Sequence, residues 1–222
     1  MKKLVIFSLI CINIASAICQ QVFFPVKKGT VLEYATLNEK KKIQSYSKMS
    51  VKEVIGTTGN QTITIELQAL DAKKVPSSEA VTFSVKIQGD KITFDPKAMF
   101  AGMIQANMEI SGTGNTVPSR ISVGQSWSDA ESVMTLNMGS SKMETKVKLT
   151  ERKVLLKESI TVLAGTYECY KVQQTAVITP PFGNAMKEKH YMWYAEGIGH
   201  VKTERYNDKN QLQSIEELSS VK

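Results

Sequence analysis

The chain has 222 residues, 42% of them hydrophobic and 22% charged, with a formal net charge of +7. That balance excludes a disordered chain, and the length suffices for one sizeable core. The lysines lie in scattered pairs and short runs without interleaved stacking aromatics, so nucleic acid is not an expected partner.

Lys2 and Lys3 precede an apolar run over 4–14, and Ala15-Ser16-Ala17 supplies the small residues of a signal-peptidase site. A basic start, a short apolar core and an A-x-A end form a secretory signal that is too short to span a bilayer. The expected organisation is a signal peptide over 1–17, with cleavage as late as 19–20, followed by one β-rich domain over 18–222. The expected location is the periplasm or cell envelope, or outside the cell, with no transmembrane span in the mature chain. Three fates of Cys19 are open: retention, removal with the signal, or acylation as the first residue of a lipoprotein. Acylation asks for a small residue before the cysteine, and the β-branched Ile18 stands there, which favours a soluble exported protein. Removal of Lys2 and Lys3 lowers the formal net charge from +7 to +5. The remaining lysines read as a solvated surface that guards strand edges, with attraction to anionic envelope surfaces as the competing reading.

Two-residue periodicity dominates the rest of the chain. Candidate strands come first at 31–35 and 43–54. Ile63, Ile65, Leu67 and Ala69 then alternate with polar residues, as do Val81, Phe83, Val85 and Ile87. Such alternation sets one face on a core and the other in water, the usual build of an antiparallel sheet. Gly89-Asp90 predicts a tight hairpin turn into Ile92-Thr93-Phe94. Asp95 suits a helix N-cap and Pro96 the first helical position, so a short helix is expected over 96–107. Its apolar stripe would be Met99, Phe100, Met103 and Ile104. Gly112, Gly114 and Pro118 predict an irregular return to Trp127. Further strands are expected at 143–155, 166–178, 187–195, 200–206 and 211–218. About ten strands with short turns predict an all-β fold: a single strongly curved antiparallel sheet, half-barrel or barrel, with one short helix packed on it.

Catalytic motifs are absent from the sequence. Ser45-x-x-Lys48 matches a penicillin-recognising motif in letters only, because positions three apart in a strand point to opposite faces. The histidines are His190 and His200. A hairpin between them places His200 near Ala195 and His190 near Arg205, roughly 16 Å apart at ~3.3 Å per residue, too far to share a metal ion. Each reads as a surface or sheet-face histidine. Convergence of acidic groups with either one in a pocket would mark an enzyme. Cys169, whose one conceivable partner is Cys19, reads as a buried inert thiol.

Met99, Met103 and Met108 are spaced four and five apart, and Met134, Met138 and Met143 repeat that spacing. Core filling, an adaptable apolar binding surface and a Cu(I) site are the three readings. Tyr191, Trp193 and Tyr194 before Gly197 form an aromatic group at a turn, read as core or as a stacking platform. The candidate ligand-binding residues are Met99, Phe100, Met103, Ile104, Met108, Met134, Met138 and Trp193. No cofactor, metal or catalytic residue is expected.

The stretch Trp193-Tyr194-Ala195-Glu196-Gly197-Ile198-Gly199-His200-Val201-Lys202 resembles the closing signature of the TapB-like exported proteins, allied to a bacterial domain-of-unknown-function family. Pro25-Val26-Lys27-Lys28-Gly29-Thr30, Val123-Gly124-Gln125-Ser126-Trp127 and Ala164-Gly165-Thr166-Tyr167 match in the same order. The resemblance implies an exported β-rich domain, a curved sheet around a helix like that of lipoprotein carriers, with no known activity. The leading expectation is a non-catalytic envelope protein that binds an apolar small molecule, a lipid or a protein partner. A structural component of the envelope is the alternative, and a hydrolase-type enzyme the third reading.

Overall fold

The computed structural model describes residues 22–100, 108–138 and 141–222. Its strands are β1 (Val31–Asn38), β2 (Ile43–Thr57), β3 (Asn60–Asp71), β4 (Val81–Gln88), β5 (Lys91–Phe94) and β6 (Met108–Pro118). They continue as β7 (Ala130–Met138), β8 (Ser141–Val162), β9 (Gly165–Thr179), β10 (Met186–Ala195), β11 (Gly199–Tyr206) and β12 (Leu212–Val221). Each strand pairs antiparallel with its neighbours in the chain, and β1 pairs with both β2 and β12. The sheet is therefore all antiparallel and closes in a ring, leaving no unpaired edge for another chain to extend.

The alternating runs make the wall. Ile63 pairs with Val85 and Ile65 with Phe83, and all four are buried, while the intervening Thr62, Thr64 and Lys86 are not. Burial of each such side chain contributes about 1.5–3 kcal/mol. Gln88 pairs with Lys91 across Gly89-Asp90, the hairpin read from the sequence.

Because neighbours in the ring are neighbours in the chain, the connections alternate between two ends. The lower end carries the β2–β3, β4–β5, β6–β7, β8–β9 and β10–β11 connections; the upper end carries the others. Val22, Phe23 and Phe24 close the lower end. Gly197 N donates to Val22 O (2.8 Å) and Phe23 N to Ser119 O (3.4 Å), tying the segment to two lower connections. Phe23 meets Tyr170 edge-on and Phe24 meets Phe94 likewise, each at 5.5 Å between ring centres. These rings join Ile63, Ile65, Val85, Ile121 and Trp127 in the largest apolar cluster.

A second cluster lies under the long β8–β9 hairpin. Val162 and Cys169 of that arm pack with Trp193, Val201 and Leu218, and Ala164 N donates to Leu218 O (3.0 Å). Cys169 is free and fully buried, and burial pushes its thiol up to about 12, so it is inert at neutral pH. Cys19 lies outside the described residues.

Three expectations change. Of the helix expected over 96–107, the described part, Pro96–Phe100, is a 3-10 helix. Asp95 does start it, its carboxylate accepting from Lys97 N (2.9 Å), and residues 101–107 lie outside the described residues. Of the irregular return predicted from Gly112 to Trp127, the part up to Pro118 is strand β6 and the rest lies outside the strands, as expected; β7 is a further strand not predicted from the sequence. Gly112 and Gly114 do not break β6 but let it bend: the register with β7 shifts between them. A Cβ on Gly114 (φ +68°) would collide with the Phe94 carbonyl oxygen, and one on Gly112 with that of Glu131.

Candidate functional site

Closure of the ring gives the sheet an inside, and one phase of each strand points there. In β9 to β12 that phase carries Gln174, Ala176, Glu188, His190, Met192, Tyr194, Thr203, Arg205, Ser214 and Glu216, which line two interior cavities. The first, of about 620 Å³, is walled chiefly by Phe23, Phe24, Met49, Leu67, Phe83, Phe94 and Tyr194. The second, of about 500 Å³, holds Gln174, Glu188, His190 and Ser214, and reaches Val147, Ile178 and Gln213 towards the upper end. Met99, Met192, His200, Arg205 and Glu216 line both, so the cavities adjoin as an aromatic-walled apolar chamber and a mixed one, the polar chamber, that carries most of the polar side chains.

The polar groups are arranged by register. Gln174 pairs with His190, His190 with Arg205, and Arg205 with Ser214, giving one polar row across four strands. Beside it, His190 Nε2 lies 2.8 Å from Glu188 Oε2, and with Arg205 near by this contact holds the Glu188 carboxyl below its usual range. His200 Nε2 lies 2.6 Å from Thr203 Oγ1, and its Nδ1 is 3.8 Å from Glu216 Oε1. The imidazole stacks on Tyr34 at 5.3 Å, and the Tyr34 hydroxyl donates to the His200 carbonyl (3.0 Å). Burial disfavours the imidazolium more than Glu216 supports it, so the His200 pKa is lowered. Among the described residues no three His, Cys, Asp or Glu gather closely enough to hold a metal ion.

Arg152 is a different kind of buried cation, 2% exposed. It donates to the Thr116 and Ser128 carbonyls (3.2 and 2.7 Å) and to Asn115 Oδ1 (2.7 Å), and lies over Trp127 at 5.2 Å. Burial lowers its pKa, yet a guanidinium stays charged, so these acceptors serve to solvate it and clamp β8 to β6.

Of the eight residues proposed from sequence, Met99 lines both chambers, its sulfur accepting from the Ser132 hydroxyl at 3.0 Å. Phe100 is buried beside it but lines neither. Met103 and Ile104 lie outside the described residues, as does the Met138 side chain at the end of β7. Met134 is buried in β7 opposite Ile110, and Met108 is half-buried at the start of β6 opposite Leu136; neither reaches the chambers. Trp193 also lines neither chamber. Alternation turns it to the face opposite Met192 and Tyr194, under the β8–β9 arm, where its indole N–H donates to Glu158 (2.8 Å) between Lys171 and Lys202.

The histidine register is as read: His190 pairs with Arg205, and His200 falls beside Ala195, opposite Tyr194 after a register shift in β10–β11. Both rings face the chambers rather than solvent. The sequence signal for this site is the run Glu188, His190, Met192, Tyr194 at every second residue; it becomes readable only once the ring is known to close.

The chain belongs to the family described as DUF3108-like, which it matches over residues 27–218. The expected membership of a domain-of-unknown-function family is met at that level. Two solved structures are similar. A protein of Bacteroides fragilis, described as exported and of YmcC-like fold, shares 19% identity and superposes with a TM-score of 0.77 over 91% of this chain and 99% of its own. A protein of Parabacteroides distasonis, described as a lipoprotein, shares 21% identity with a TM-score of 0.76 over the same shares. At such identities the likeness shows the fold alone. No curated protein matches the chain.

Proposed function

We propose that this DUF3108-like chain is an exported, non-catalytic envelope protein that binds an amphiphile inside its ring. The observation that carries this reading is the adjoining pair of interior chambers, one walled chiefly by aromatic and aliphatic side chains and the other carrying the cross-strand polar row on an otherwise apolar wall. An acyl or other apolar body would fill the aromatic chamber, where release of water drives binding, and a polar head would face Gln174, His190 and Arg205. Met99 and Met192, shared by both chambers, are flexible enough to adapt to different ligands. Export is supported by the signal-like residues 1–17 and by the descriptions of the two similar structures. Among the described residues no helix is long and apolar enough to cross a membrane.

The test is native mass spectrometry of protein isolated from envelope fractions, together with titration of an environment-sensitive hydrophobic dye. A retained amphiphile mass, or saturable dye binding that Phe83→Asp abolishes, is expected. Protein that carries no ligand and binds no dye would overturn the reading.

One observation favours a hydrolase as the second reading: Thr203, His200 and Glu216 form a hydroxyl–imidazole–carboxylate chain beside the polar chamber. Two features weigh against it. The His200–Glu216 separation of 3.8 Å is too long for a hydrogen bond, and burial lowers the basicity that a general base needs. Hydrolysis of short p-nitrophenyl esters, lost in Thr203→Val, would reverse this preference.

A further inference from the structure

The polar chamber holds two groups that the fold leaves without a hydrogen-bond partner, although the Arg205 charge is felt by Glu188. Gln174 is 4% exposed, and its Oε1 accepts no hydrogen bond. Arg205, half-buried one strand beyond His190, makes no hydrogen bond or ion pair among the described residues. Both line the chamber, and both sit on the same cross-strand row. A buried amide oxygen without a donor and a guanidinium without an acceptor each cost free energy in the empty site. At Arg152, by contrast, the fold supplies three acceptors to the two terminal nitrogens of a buried guanidinium and leaves only Nε without one.

From this pairing we infer that Gln174 and Arg205 form a head-group subsite for an uncharged acyl amphiphile whose head both donates and accepts hydrogen bonds. Gln174 Oε1 takes an O–H or N–H from the head, and the Arg205 guanidinium donates to an oxygen of it. The charges facing the chamber decide against ionic heads. Glu188 and Glu216 stand there with Arg205 and the imidazoles of His190 and His200. A carboxylate or phosphate would gain Arg205 but meet two carboxylates. An ammonium would gain those carboxylates but meet Arg205 and leave its donor capacity unused. A hydroxyl-bearing or amide head answers both unpartnered groups and brings no charge to desolvate. This inference rests on the amphiphile-binding reading and adds the class of head.

The experiment compares three probes that share one oleyl chain: 1-monoolein, oleate and oleylamine, each displacing the same hydrophobic dye from the full-length mature chain. Monoolein is expected to bind roughly tenfold more tightly than either ionic probe. Gln174→Leu and Arg205→Met should each weaken monoolein about five- to tenfold relative to oleyl alcohol acetate, a probe with the same chain and no donor, the scale of one lost hydrogen bond. A cooperative urea transition with an unchanged slope shows that the variants fold. If oleate or oleylamine binds as tightly as monoolein, or if both variants bind monoolein normally, the head-group inference fails while amphiphile binding stands. If neither dye nor any probe binds the unaltered protein, both fail together.

Discussion

His200 sits where packing and titration meet. Tyr34 stacks on it and Tyr194 meets it edge-on, while Thr203 and Arg205 of its own strand and Glu216 of β12 approach it. Its pKa is lowered in the fold, chiefly by burial, so the unfolded chain takes up the proton at higher pH than the folded one. Stability is therefore full above the ordinary histidine pKa of ~6.5 and is lost as pH falls below it. Urea midpoints measured from pH 7.5 to 5.5 should decline for the unaltered chain and decline less for His200→Gln. The carboxyls of Glu188 and Glu204, held low by their partners, add their own loss only in the lower carboxylate range. Glu217, raised by burial, acts with the opposite sign, and the comparison with His200→Gln cancels it. An equal decline in both proteins would remove His200 as the cause.

At the scale of elements, legibility tracks the side-chain period. β3 and β4 are plain because isoleucine, valine and phenylalanine alternate with threonine, serine and lysine, and their pairing buries the apolar set. β6 and β7 are not, for a physical reason. In β6 the sequence Ser111-Gly112-Thr113-Gly114-Asn115 has the composition of a loop, and only the close approach of Phe94 and Glu131 backbone explains glycine there. The helix read from Met99, Phe100, Met103 and Ile104 at helical spacing is 3-10 over its described part, Pro96–Phe100. Gly114→Ala tests this account of β6. Its φ of +68° and the Phe94 carbonyl should make that substitution cost about 2 kcal/mol or more, read as a lower urea midpoint with unchanged slope. Gly89→Ala, also at positive φ but with open space around it, should cost less. Equal losses would mean that backbone conformation alone, not the strand contact, sets the demand for glycine.

For the whole molecule, the periodicity leads to an antiparallel half-barrel or barrel, in keeping with the closed ring, but not to the contents of its interior. Sequence patterning assigns polar residues to water, and on that rule Gln174, His190, Arg205 and Glu216 belong outside. They point inward because the ring leaves space that apolar side chains do not fill, and nothing local in β9 to β12 records that space. Trp193 misleads in the converse way, since a long hairpin arm covers the outer face and gives an outward tryptophan a buried home. The lower end depends on the Val22–Phe24 segment in the same non-local manner. Phe24 is 4% exposed and touches Phe94 edge-on, so Phe24→Ala should destabilise by about 3–5 kcal/mol in equilibrium unfolding. It should also enlarge the apolar chamber that Phe24 lines, raising the capacity for bulky hydrophobic dyes. A loss below ~1 kcal/mol would mean that the ring stands without its closing segment.

The bond from Gly197 N to Val22 O has an orientational meaning. A chain pinned at Val22 enters the ring from its lower rim, so a leash or acyl anchor attached through the preceding residues would pull on that rim. Such a molecule, whether tethered at Cys19 or by another means, would stand on a membrane with its aromatic floor down. Its polar chamber, with Gln174 and Arg205, would then be held on the side remote from the leash, turned towards whatever brings or receives the cargo.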